Sequence, residues 1–127
     1  MTVKVVKTEK APSPVGPYSQ GFIVEGFVFT AGQVGINPET GEVAEDVAEQ
    51  TRQALENIRA ILEAAGTSMN NLIKTTIFLA DIAYFKEVNN VYATYFRGDP
   101  PARTTVQAKP ALDIFKVEIE AIAYMNR

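Results

Sequence analysis

Only two stretches of this chain carry a helical period, and that limits what its strands can pack against. From Asp46 to Ala65, apolar or small residues recur at Val47, Thr51, Ala54, Leu55, Ile58, Ile61, Leu62 and Ala65. They form one stripe of a helix of about five turns. Acidic residues crowd its start, where the helix dipole favours them, and Gly66 stands where a left-handed C-terminal cap belongs. From Asp81 to Phe96 a second stripe runs through Ile82, Phe85, Val88, Tyr92, Tyr95 and Phe96. The other regular stretches read as strands: residues 3–7, 19–24, 27–34, 72–80, one opening at Arg103, and one from Lys116 to Met125. Glu25-Gly26 divides the second from the third as a tight hairpin turn. The element order is β-β-β-α-β-α-β-β.

Two helices can cover one face of a sheet of about six strands, but not both. The expectation is therefore α+β: a single domain over residues 1–127, with a mixed sheet and both helices on one side. In the last strand Val117, Ile119, Ala121, Ala123 and Met125 make an apolar face fit to lie under the helices. The opposite face carries Lys116, Glu118, Glu120, Ile122 and Tyr124, a mixture poorly suited to bare water. In the strand before it, Thr104, Val106 and Ala108 are expected to face the helices, with Arg103, Thr105 and Gln107 on the other side. An uncovered face of that kind suits contact with another copy of the chain, so a homo-oligomer is expected.

Composition narrows the chemistry. With 46% hydrophobic residues among 127, the chain can bury a real core. It has no cysteine and no histidine, which removes disulfides, thiolate metal sites, a cysteine nucleophile and the commonest general base. Acid–base work falls to Asp, Glu, Lys, Tyr or bound water. A net charge of −3 gives no broad surface for nucleic acid or membrane. The N-terminal residues show no targeting pattern and no apolar run reaches membrane-spanning length, so a soluble, cytoplasmic protein is expected. Glu42, Glu45, Asp46 and Glu49 lack metal-ligand spacing and read as a solvated helix start, and no metal site is expected. Gly32, Gly35 and Gly41 are not followed by the Gly-Lys-Ser/Thr of a phosphate loop.

Arg103 stands out against this background. It follows Pro100-Pro101 and opens a strand where folding needs nothing charged. If its strand neighbours the last one, Arg103 and Glu118 share the uncovered face. They then form either a salt bridge that fastens an oligomer or a site for a small ligand. An arginine offers a rigid fork of donors matched to a carboxylate.

The segments GPYSQG, AGQVGINPETGE, QTRQALENIRAILEAAG, IKTTIFLAD, VNNVYATYF, PARTTV and KVEIEAIAY together resemble the Rid family. These are reactive-intermediate (enamine/imine) deaminases, also known as perchloric-acid-soluble endoribonuclease proteins. The resemblance runs almost end to end. It implies a chorismate-mutase-like fold and a homotrimer with a central barrel and sites at the subunit interfaces. It also implies hydrolysis of small 2-imino or enamine acids, such as 2-aminoacrylate and 2-iminopropanoate, to 2-keto acids and ammonia, with no cofactor. By the same resemblance Arg103 grips the substrate carboxylate and Glu118 positions the attacking water. Tyr18 closes the cleft from a neighbouring subunit, Gly32 and Thr105 offer backbone contacts, Asn89 is a polar group of the second helix, and Phe85 is an apolar wall.

Plainer roles stand beside these. Asn89 interrupts an apolar stripe and can serve by bonding nearby backbone. Tyr18 can anchor its own turn, and Gly32 can be a bulge glycine. A non-enzymatic, regulatory trimer binding small carboxylates is the alternative function, with an endoribonuclease behind it, since an acidic chain without histidine is poorly equipped to cleave RNA. The chain also departs from familiar members of the family. Thr105 replaces a frequent cysteine, Ala31 replaces a serine, and KPALDIF, residues 109–115, replaces a loop of the RLPKD type.

Overall fold

In a computed structural model, which describes residues 2–125, the first stripe forms α1 (Val47–Ala65), and each of its stripe residues is buried. The Asp46 carboxylate caps its start by accepting from the Ala48 N–H at 3.4 Å, and Gly66 ends it at φ 96°. Leu55, Ile58, Ile61 and Leu62 have no exposed surface. Burying such side chains contributes about 1.5–3 kcal/mol each, so this helix is the main fastening of the layer to the sheet.

The strands are β1 (Val3–Val6), β2 (Gly21–Val24), β3 (Phe27–Thr30), β4 (Gln33–Val34), β5 (Leu72–Leu79), β6 (Ala102–Gln107) and β7 (Val117–Tyr124). They form one sheet in the order β1-β2-β3-β7-β5-β6, with β4 pairing β7 off that path. Every pairing is antiparallel except β5 with β6. That parallel pair is joined through α2 (Phe85–Ala93), as a crossover connection requires. The β2–β3 turn places Glu25 at φ 50° and Gly26 at φ 81°, the two positive values of a type I′ hairpin.

Three expectations need correction. The single strand expected over 27–34 is broken at Ala31-Gly32, where the Ala31 N–H turns aside to the Gln20 carbonyl at 2.8 Å. The second helix is shorter than its stripe: a 3-10 turn over Ile82–Tyr84 precedes α2, and Ile82 is half exposed. Most consequential is the placement of β6. It pairs with β5 and not with β7, and Arg103, Thr105 and Gln107 face the helical layer. Thr104 and Val106 face the other way, opposite Thr76 and Phe78.

The face away from the helices is apolar around β2, β3 and the end of β7, and mixed elsewhere. Phe22 lies opposite Phe29, Phe29 opposite Ile122, and Phe27 opposite Tyr124. Phe22, Phe27, Phe29 and Tyr124 each keep 40–45% of their surface exposed. No helix among the described residues is long and apolar enough to cross a membrane.

Candidate active site

Alternation along β6 puts Arg103 and Thr105 on one face, and helical spacing puts Phe85, Asn89 and Tyr92 on one side of α2. The guanidinium sits where the two meet. Its Nε donates to Thr105 Oγ1 at 2.8 Å and its Nη2 to Asn89 Oδ1 at 2.6 Å. The carbon at its centre lies 4.9 Å from the centroid of the Tyr92 ring and 5.5 Å from that of Phe85. Such cation–π contacts contribute about 0.5–2 kcal/mol each.

Tyr92 is itself held, its hydroxyl 2.7 Å from Thr75 Oγ1. Thr75 lies opposite Arg103 in the ladder. Burial raises the Tyr92 pKa, against the opposing pull of the Thr75 hydrogen bond and the Arg103 charge. Of the five N–H donors on an arginine, the Nη1 pair and the second on Nη2 are not used by these contacts. The fork is thus oriented but unfilled. Asn89 serves a side chain here, which neither of its sequence readings named. Thr105 acts on Arg103 through its hydroxyl.

Glu118 occupies a separate setting. It lies opposite Phe78 on one side and Val34 on the other, on the face away from the helices. Gly32, just before β4, leaves room for its carboxylate: a Cβ there would stand 2.9 Å from Glu118 Cδ, inside any real contact. The absence of a side chain at Gly32 lets the carboxylate stand where it does; a Cβ there would make Glu118 move. Partial burial raises the Glu118 pKa, and the neighbouring charge of Glu120 raises it further.

Beside the carboxylate is a cavity of about 310 Å³ walled by Val15, Tyr18, Val34, Leu112 and Phe115. The Tyr18 hydroxyl accepts from the Val15 N–H at 3.3 Å while its half-exposed ring lines this cavity, so its loop-anchoring and site-lining roles coexist. A larger open groove of about 760 Å³ runs along α1 between Thr8, Asn37 and Arg59, but it contains none of the expected site residues.

The structure therefore gathers the expected residues into two groups. Arg103, Thr105, Asn89 and Phe85 form one, and Glu118, Gly32 and Tyr18 form the other. The expectation that Arg103 and Glu118 share the uncovered face is overturned. Strand β5 separates β6 from β7, so the two backbones are ~10 Å apart across the sheet. Arg103 is level with Thr75 and Glu118 with Phe78, a further offset of ~10 Å along the strands. They also point to opposite faces. One protomer cannot bring both to a small ligand.

Three buried amides that the sequence reading missed hold the walls of the Glu118 cavity. Gln20 binds the chain before it, accepting from the Thr8 N–H at 2.7 Å and donating to the carbonyls of Thr8, Ala11 and Pro12. Asn57 donates to the carbonyls of Val34 and Ile36 at 3.0 Å each. Gln50 donates to Ala44 and Ile114 carbonyls and accepts from the Lys116 N–H at 2.8 Å. Irregular backbone near a core needs such partners. For Gln50 and Asn57 the signal was a polar residue beside the apolar stripe of α1.

Comparison with known proteins adds a third kind of observation. The family model described as endoribonuclease L-PSP matches residues 8–125. A RutC family protein of Pyrococcus horikoshii is 51% identical over 122 residues, covering 95% of this chain and 97% of that protein. A mouse protein named 2-iminobutanoate/2-iminopropanoate deaminase is 47% identical over 121 residues, covering 94% of this chain and 90% of that one. The crystal structure of E. coli TdcF with bound serine superposes with a TM-score of 0.92 at 41% identity, over 97% of this chain and 99% of that chain.

Proposed function

This chain belongs to the endoribonuclease L-PSP family, and we propose that it hydrolyses small 2-imino acids to 2-keto acids and ammonium in clefts between the subunits of a homotrimer. One observation carries the reading: the Arg103 guanidinium is fixed by Thr105, Asn89 and two aromatic rings, with donors left over for a carboxylate. The deaminase names of relatives support the reaction class. Serine in a related structure supports a site sized for a small molecule carrying an α-carboxylate.

The trimer is part of the proposal because the two groups in one protomer face apart. Arg103 lies on β6, an edge strand of the sheet, where a neighbour docked on the uncovered face can reach it. In the proposed assembly Arg103 of one subunit and Glu118 of the next meet at one ligand. Burial of Phe22, Phe27, Phe29 and Tyr124 supplies the driving force for assembly.

The chemistry then follows from placement. Arg103 holds the carboxylate through two charge-assisted bonds, each contributing ~1.5–3 kcal/mol. This sets the imine carbon beside a water held by Glu118. Glu118 takes a proton from that water as the oxygen bonds to carbon, and the C=N π pair moves to nitrogen. The carboxylic acid returns the proton to nitrogen, giving a carbinolamine with a protonated amine. Glu118 then removes the hydroxyl proton, the C–N bond breaks, and ammonia leaves with its electron pair as the carbonyl forms. The leaving ammonia takes up that proton, so a protonated imine and water become keto acid and ammonium. The negative Glu118 also favours the protonated, more electrophilic imine.

The test is to generate the imine with an amino-acid oxidase or a serine/threonine dehydratase and to follow its decay by semicarbazide trapping. The reading predicts faster decay with the wild-type chain than with an Arg103→Ala variant. Equal decay with and without the protein would refute it.

A further inference from the structure

Three of the four groups that hold the Arg103 guanidinium, Phe85, Asn89 and Tyr92, stand on α2. That helix is poorly equipped to keep its own place. It has nine residues, of which only Val88, Val91 and Tyr92 are buried, and no side chain caps its start. A helix this short is marginal without tertiary contacts. The guanidinium is therefore only as steady as the contacts that dock α2 on the sheet.

Two polar contacts from the strands beneath do this, one near each end. The helix runs back along the parallel pair, so Ile82 lies at the Gln107 end of β6 and Asn89 at the Arg103 end. At the entry, Gln107 Oε1 accepts from the Ile82 N–H at 2.8 Å, and the Ile82 carbonyl in turn accepts from the Phe85 N–H. At the far end, Thr75 Oγ1 and the Tyr92 hydroxyl share a bond of 2.7 Å. Thr75 is buried and sits beside Arg103 in the β5–β6 ladder, with Tyr92 between its hydroxyl and the guanidinium. Neither Thr75 nor Gln107 is a hydrogen-bond or ring partner of Arg103. Each reaches it through one residue of the helical layer.

We propose that Thr75 and Gln107 are positioning residues for imine hydrolysis. By pinning the two ends of α2 they hold Phe85, Asn89 and Tyr92 against Arg103, and so aim its unused donors at the substrate carboxylate. The proposal rests on the imine-hydrolysis reading above. A misplacement of about 1 Å at a positioned group can cost ~100-fold in rate. Loss of one pin, with the other still in place, costs less than that.

The test compares four variants of the full chain. Thr75→Val and Gln107→Met remove the hydrogen-bonding atom at similar volume, whereas Thr75→Ser and Gln107→Glu keep one. Each is assayed for kcat and KM on the imine made from alanine by an oxidase, for inhibition by pyruvate, and for melting temperature. Pyruvate offers the clamp a carboxylate without a reacting imine. Thr75→Val and Gln107→Met are each expected to raise KM and the pyruvate inhibition constant about tenfold, with a smaller change in kcat, because the fork is misaimed and the water-holding carboxylate is untouched. Thr75→Ser and Gln107→Glu should stay within about threefold of wild type, since the bond survives. A lower melting temperature with KM and pyruvate inhibition unmoved would make both contacts merely structural and overturn the proposal, leaving the reaction class standing. So would conservative variants as impaired as the others. If Thr75→Val does not fold, Gln107→Met, at an exposed position, decides the matter alone. If the wild-type chain does not hydrolyse the imine, the reaction class fails and the positioning role falls with it.

Discussion

Arg103 and Glu118 project from opposite faces of one sheet, with β5 between the strands that carry them. In the proposed reading each does work that needs a second subunit. The guanidinium is oriented with donors to spare, and the carboxylate is partly buried against a glycine that makes room for it.

The geometry around Arg103 predicts that lysine cannot replace it. Lysine offers a point charge on a flexible stem, without the fork that meets Thr105, Asn89 and a carboxylate together. Arg103→Lys is expected to lower kcat/KM by about a hundredfold or more, close to Arg103→Ala, given ~1.5–3 kcal/mol per charge-assisted bond. Steady-state hydrolysis of the trapped imine checks this, and a fully active lysine variant would contradict the clamp.

Gly32 predicts a selective lesion. Gly32→Ala drives a methyl group into the Glu118 carboxylate, so the side chain must shift. A displacement of about 1 Å at a catalytic group can cost ~100-fold in rate. Activity should fall by that order while the circular dichroism spectrum and the melting temperature change little. A normally active Gly32→Ala protein would show that the contact carries no catalytic weight.

Much of the scaffold was legible in the sequence, and the reasons are physical. The stripe of α1 announced itself because an apolar face repeated over five turns has no other good explanation, and Glu25-Gly26 announced a turn because of its backbone demands. β6 was misread because its more apolar side is the one turned away from the helices: Thr104, Val106 and Ala108 alternate with the wholly polar Arg103, Thr105 and Gln107. The rule that apolar residues face the helices then chose the wrong side. α2 instead presents Phe85, Asn89 and Tyr92 there, a surface made for a guanidinium. Strand neighbours are also invisible to local pattern, and the β5–β6 pairing depends on the crossover. Gln20, Gln50 and Asn57 escaped notice because a buried amide earns its place through partners distant in sequence.

The Glu118 environment sets the expected pH dependence. Burial first, and then Glu120, raise its pKa above the ordinary glutamate value. A general base must be ionised, so activity should fall on acidification at a pH above the usual carboxylate range. Glu120→Gln should move that acid limb to lower pH by removing the like charge. The stability consequence has the opposite sense. A carboxyl with a raised pKa in the folded state favours folding only while protonated, and this contribution is lost as pH rises through the folded value. Glu118→Gln should therefore raise the melting temperature at neutral pH, an advantage that vanishes at acid pH, while activity is lost. Melting curves and pH–rate profiles check both. An acid limb unmoved by Glu120→Gln would contradict the assignment.

The central claim is that one working site takes Arg103 from one subunit and Glu118 from the next. Arg103→Ala and Glu118→Ala proteins, each inactive alone, can be unfolded together in equal amounts and refolded as mixed oligomers. Random assembly pairs an intact Arg103 with an intact Glu118 at about a quarter of the sites, so imine hydrolysis should return to about a quarter of the wild-type rate. Mixed oligomers that form and stay inactive would contradict the account.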